Sequence, residues 1–284
     1  MAHKSPCWIT TNRLFVLLMV MATTLSAQWA PYPTQRVPKD RAGNPNLLAP
    51  VPRTADGKPD LSGVWENPPC TKDPCPAGTK QELLPLAAQF LEIDWGMKEP
   101  LPYQPWAKEL REARVMTNGK DNPDAHCKPI GVVQLHTHPY PRRIIQTPGM
   151  VVILYEKDGV FRQIFTDGRP LPKDPLPWFY GYSSGKWVGD ALVVETIGLK
   201  DNWLDFRGSP MTEEAKITER FRRVNYGNLE LELTIDDPKA YTKSWVPRDK
   251  LPLRLLPPDT DLMEMIPSAS EAAAYRKVVA EPGK

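Results

Sequence analysis

The chain has 284 residues, with 36 Lys and Arg against 34 Asp and Glu, and 41% of it is hydrophobic. That is enough apolar material for one sizeable core, and so even a charge gives no electrostatic reason to seek nucleic acid or an anionic membrane. Its 33 prolines are far above the usual ~5% and cut the chain into short pieces, which argues for strands joined by loops rather than long helices.

Residues 1–27 read as a secretory signal peptide. Lys4 and Arg13 give a positive start, Leu14 to Ala22 is an apolar run, and Leu25-Ser26-Ala27 offers a small-residue cleavage site. The run is shorter than the ~20 residues a spanning helix needs, so no membrane attachment is expected after cleavage. Removing the segment takes away two cations and no acid, which brings the formal net charge from +2 to zero. The expected location is periplasmic or secreted. Cys7 leaves with the signal, while Cys70, Cys75 and Cys127 remain. Disulfides persist outside the cytosol, and the short loop Cys70-Thr-Lys-Asp-Pro-Cys75 makes Cys70–Cys75 the expected bridge. Cys127 is then free or paired outside the chain. A zinc half-site at Cys70 and Cys75 is the alternative, though no second cysteine pair completes it.

Residues 28–60, rich in Pro, Asn, Gly and charge, predict an extended arm. The main domain is expected over 61–267 and a tail over 268–284. Asp60 to Glu66 is the first strand signal. Helical spacing predicts helices from about Gln81 to Trp95 and from Trp106 to Met116. Thr117 to Pro129 is a polar loop carrying His126 and Cys127. Short strands are predicted at Gly131–Thr137, Arg142–Thr147, Met150–Glu156 and Val160–Thr166, with turns at Pro148-Gly149 and Lys157-Asp158-Gly159. A proline-rich loop leads to Trp178. Hairpins follow around Gly189-Asp190, joining Ser184–Val188 to Ala191–Ile197, and around Asn225-Tyr226-Gly227-Asn228. Leu229, Leu231, Leu233 and Ile235 alternate with polar residues, so that strand has one buried and one wet face. Ser244–Val246 and Leu251–Leu256 add edge pieces. The fold class is mainly β: a single antiparallel barrel or sandwich, a lipocalin-like meander, with one or two peripheral helices.

Several constellations could carry chemistry. Gly181-Tyr182-Ser183-Ser184-Gly185 matches the hydrolase elbow, but a strand leaves it and every histidine precedes Ser183. His136 and His138, two apart on the predicted strand, would share a face with Gln134 and could converge on a divalent metal or a substrate. His126, Glu195 or Glu219 could complete such a site. The plainer alternative packs both histidines at a strand end against Pro139 and Tyr140. Glu195 and Glu219 fall on apolar faces of their strands. They either sit in water, pair across strands, or point into a pocket as acid and base beside Arg143, Arg162 or Arg220. Trp178, Phe179, Tyr180 and Tyr182 form the densest aromatic cluster, a ligand wall or a hydrophobic plug. No phosphate-binding loop, dinucleotide fingerprint or haem-attachment motif is present, and no cofactor is predicted beyond the metal possible at His136 and His138.

The runs Pro148-Gly149-Met150-Val151-Val152-Ile153-Leu154-Tyr155-Glu156, Thr166-Asp167-Gly168-Arg169-Pro170, Ser184 to Thr196, Thr218-Glu219-Arg220-Phe221 and Asp237 to Thr242 carry a resemblance. Together they resemble a large family of uncharacterised secreted bacterial proteins, abundant in acidobacteria and sphingomonads, over about residues 60–265. Gly63-Val64-Trp65 also resembles the lipocalin Gly-x-Trp. The resemblance implies a periplasmic or secreted β-rich domain and no established activity. Relatives often carry a cysteine near the C-terminal end, where this chain has Glu264-Met265-Ile266-Pro267. The leading expectation is an exported protein that binds a small, partly apolar or aromatic molecule at a barrel mouth. Its ligand contacts are Trp178, Phe179, Tyr180, Tyr182, Arg143 and Arg220. The alternative is a lyase, isomerase or hydrolase using His136 or His138 with Glu195 or Glu219.

Overall fold

The computed structural model describes residues 37–67, 93–94, 97–247, 250–266 and 268–280. The expected signal segment, Cys70 and Cys75, and nearly all of the helix expected over 81–95 fall outside them. The elements are β1 (Gly63–Glu66), α1 (Pro105–Met116), α2 (Val132–Thr137), β2 (Arg142–Thr147), β3 (Met150–Tyr155), β4 (Phe161–Phe165), β5 (Tyr182–Val188) and β6 (Ala191–Ile197). There follow β7 (Asn202–Trp203), β8 (Pro210–Met211), β9 (Lys216–Asn225), β10 (Asn228–Asp236), β11 (Leu251–Leu255) and α3 (Ala269–Ala280).

Nine strands close into a barrel in the order β1-β11-β10-β9-β6-β5-β4-β3-β2, and β7 and β8 form a separate two-stranded ribbon. Every neighbouring pair in the barrel is antiparallel except β4 and β5, which run parallel through Ile164↔Ser183 and Phe165↔Ser184. The expected meander is therefore broken once. A parallel neighbour needs a crossover, and the proline-rich stretch between Phe165 and Tyr182 supplies it.

Alternation places the core. Leu229, Leu231, Leu233 and Ile235 on β10 are buried, as are Ile217 and Phe221 on β9 and Leu192 and Val194 on β6. The turn from β9 to β10 differs from its sequence reading. Gly227 does not adopt positive φ there. It is needed because Leu47 of the arm crosses it: a Cβ at Gly227 would stand 2.5 Å from that of Leu47. The arm is fastened at this point by Tyr226 N–H to Ala49 O at 2.8 Å and Gly227 N–H to Leu47 O at 2.7 Å. In the β3–β4 turn, by contrast, Asp158 and Gly159 have φ of 64° and 59°.

The largest departure is at Gly131–Thr137, which is the helix α2 and not a strand. Residues 131–136 are buried without a break, so no alternation exists to read, and a short buried apolar run fits a helix or a strand equally. Backbone packing selects the helix. Gly131 at its start lies so close to Trp203 that a Cβ would be 3.0 Å from the Trp203 carbonyl oxygen. Pro139 and Pro141 keep it from continuing.

Candidate functional site

Strand direction gathers one set of interior side chains. Arg142 opens β2, Tyr155 ends β3, Arg162 lies near the start of β4, Ser183 near the start of β5 and Thr196 near the end of β6, with Glu219 in the first half of β9. In this topology those positions all lie toward the same end of the barrel. Direct pairing brings several together: Arg142 faces Tyr155, Ser183 faces Thr196, and Ile153 faces Arg162. α2, buried from Val132 to His136, reaches into this end through His136.

Glu219 is the hub. Arg162 grips it with two parallel hydrogen bonds, Nη1 to Oε1 at 2.8 Å and Nη2 to Oε2 at 2.6 Å. His136 Nε2 stands 2.7 Å from the same Oε1. Arg162 also donates to the Tyr155 hydroxyl at 3.4 Å, and to Ser183 Oγ and Thr196 Oγ1, both at 3.2 Å. All members are inaccessible or nearly so.

The protonation states follow from burial and charge. Burial pushes the Glu219 carboxyl up, but Arg162 and the bond from His136 outweigh it and hold the group well below the usual carboxylate range. Burial drives His136 down to about 4, although Glu219 opposes it. At neutral pH Glu219 is therefore ionised and His136 neutral. Because Glu219 only accepts, Nε2 of His136 carries the proton and donates it, which leaves Nδ1 as an acceptor. Nδ1 has no partner among the described residues.

Arg142 is as deeply buried but has no acid beside it among the described residues. Nη1 donates to His136 O at 3.3 Å, and Nη2 donates to His138 O at 3.2 Å and to Asn67 Oδ1. The guanidinium thus holds the last carbonyls of α2, where a cation is favoured. Burial lowers it to about 10. Nε of Arg142, Nε of Arg162 and the Tyr180 hydroxyl are also buried without a hydrogen-bond partner among the described residues. Tyr180 packs against the core and lies within electrostatic reach of Asp158, Tyr155 and Arg162.

The remaining expected site residues disperse. His138 follows α2 in extended backbone, so the shared-face argument that joined it to His136 over a metal falls with the strand. Its Nδ1–H donates to Gln134 O at 2.9 Å, and its ring lies against Tyr140 and Phe206, whereas His136 lies against Tyr155 and Phe221. Burial lowers His138 too, to about 4. Glu195 faces outward, 41% exposed, 3.8 Å from Lys216. Arg220 is outside beside Glu232, and Arg143 Nη2 donates to Thr260 O at 2.7 Å. The aromatic cluster divides. Trp178 is 58% exposed, Phe179 lies under Lys200, and Tyr182 stacks outside the barrel on Phe165. Only Tyr180 turns to the polar end. Ser183, in the elbow-like motif, is a buried strand residue bonded to Thr196 at 2.9 Å.

Arg142 and Tyr155 were not anticipated as site residues. Parity is the signal that finds Arg162: it shares a face with Ile164, and Phe161 and Phe165 take the opposite one. Reading the aromatic residues as the inward set inverts β4. No protein-family model matches this chain, and neither a curated protein nor a solved structure matches it.

Proposed function

We propose that this protein is an exported binder of a small molecule, held at the polar end of the barrel by His136 Nδ1 and the Tyr180 hydroxyl. The observation that carries this reading is the group of buried, unpartnered polar atoms at that end. Buried polar atoms in folded proteins are nearly always satisfied, so a group of them in one place points to a molecule that completes the set. The signal-like start and the resemblance to secreted β-rich proteins support export. The wall is now Tyr180 with Tyr155 and Phe221, rather than the whole stretch from Trp178 to Tyr182.

His136 also bears on the alternative. A carboxylate on one ring nitrogen and a bare second nitrogen is the arrangement of a general base. Such a base works best with a pKa near the operating pH. Burial takes His136 to about 4, and Arg162 already neutralises the carboxylate that would steady an imidazolium. The balance favours holding a ligand over moving a proton.

Titration calorimetry of the purified protein against small hydroxylated and carboxylated aromatics tests the reading. At least one member is expected to give a saturable heat. Tyr180→Phe should weaken that affinity about fivefold, the effect of losing one hydrogen bond worth ~1 kcal/mol. Turnover of a bound compound that His136→Gln abolishes, with folding intact by circular dichroism, would replace this reading with the enzyme. No heat from any compound would remove it.

A further inference from the structure

Among the described residues, the polar end holds two buried guanidiniums, Arg142 and Arg162; Arg162 occupies the Glu219 carboxylate with both Nη atoms, and the two carboxylates that follow β3 have partners of their own, Glu156 accepting from Met263 N–H and Asp158 pairing with Lys157. Among the described residues, Arg142 meets only carbonyl and amide oxygens. His136 is neutral. Arg142 is therefore a buried cation with no carboxylate partner among the described residues, and an unmatched buried charge is costly. Three of the unpartnered atoms named above lean the same way: Arg142 Nε, Arg162 Nε and the Tyr180 hydroxyl can donate, while His136 Nδ1 accepts.

We propose, resting on the binding reading above, that the ligand is an organic monoanion. A small carboxylate on an aromatic body would accept from these donors and pair with Arg142, while its ring packs on Tyr155 and Phe221. A neutral phenol or amide offers fewer acceptor sites and leaves Arg142 uncompensated. A cation would be repelled.

The test is a charge series on the unmodified protein. Benzoate, benzamide, benzyl alcohol and benzylamine have similar shapes and differ in charge. Calorimetry at pH 7 is expected to give benzoate the tightest binding, at least tenfold tighter than benzamide, with benzylamine silent. Arg142→Gln, where it folds, should bring benzoate and benzamide level, while Tyr180→Phe should weaken benzoate without levelling them. The series on the unmodified chain decides the matter whether or not Arg142→Gln folds. Benzamide or benzyl alcohol binding as tightly as benzoate would overturn the anion assignment and leave the binding reading standing. If no probe binds and native mass spectrometry finds no small molecule retained, both fall together.

Discussion

On β9, Glu219 faces inward to Arg162 and His136, while the next residue, Arg220, faces outward to Glu232 at 3.7 Å with both side chains 38% exposed. The outer wall repeats this pattern with Lys216–Glu195 and Arg222–Glu230. Inside and outside use the same residue types, one peptide bond apart. Outside, water screens each pair and either partner can be lost cheaply. Inside, each charge depends on the other, because nothing else can replace its lost hydration. Chemical identity is thus a poor guide to what an ion pair does in this barrel, and strand parity is a good one.

Breaking the inner pair tests that contrast most severely. Glu219→Gln leaves Arg162 charged and buried, and urea unfolding should register a loss of about 3–5 kcal/mol. Replacing both partners, with Arg162→Met and Glu219→Leu together, should cost less than Glu219→Gln alone. A larger loss in the double variant would mean that the pair is a net source of stability.

Acid probes the same interior without mutation. His136 and His138 have folded pKa values of about 4, below the ordinary 6.5, so each is held neutral by the fold. Their contribution is fully present above about pH 6.5 and is lost as pH falls toward 4, by about 3 kcal/mol for each ring. Glu219, held below its ordinary 4.5, adds its own loss only under that pH. The urea midpoint should therefore fall steadily between pH 6.5 and 4.5, and His138→Gln should remove about half of the slope. A flat profile would mean that the rings are not held neutral. On the outer wall, Arg220→Ala should change stability by less than about 1 kcal/mol, and less still in high salt. A loss comparable to that of Glu219→Gln would erase the distinction between the two faces.

The same contrast explains what was legible in the chain. β2 and β6 are found at the predicted bounds, and the hairpin of β9 and β10 turns at the predicted Asn225–Asn228, because one face is wet and alternation shows it. Glu219 stood out as an acid between Ile217 and Phe221, and it is buried. Glu195 stood out by the same argument between Val193 and Ile197, yet that row faces water. Apolar residues on an outer wall are ordinary, so parity identifies rows and leaves open which row is inside. α2 was illegible because residues 131–136 are all buried and leave no wet face to set a period. Arg142 was illegible because its partners are the carbonyls of that unexpected helix.

One feature of the barrel reaches beyond the site. β1 joins β11 through Trp65↔Leu255 and Glu66↔Arg254, and joins β2 on its other side. The first and last strands of the domain are therefore neighbours, and in the ring neither has an intrinsic claim to come first. A circular permutant, opened at Pro148-Gly149 with a linker spanning the β1–β11 seam, keeps every strand beside its present partners. It also places α2, β2 and Arg142 after β11 in the chain, so the polar end would be assembled in a new temporal order from the same geometry.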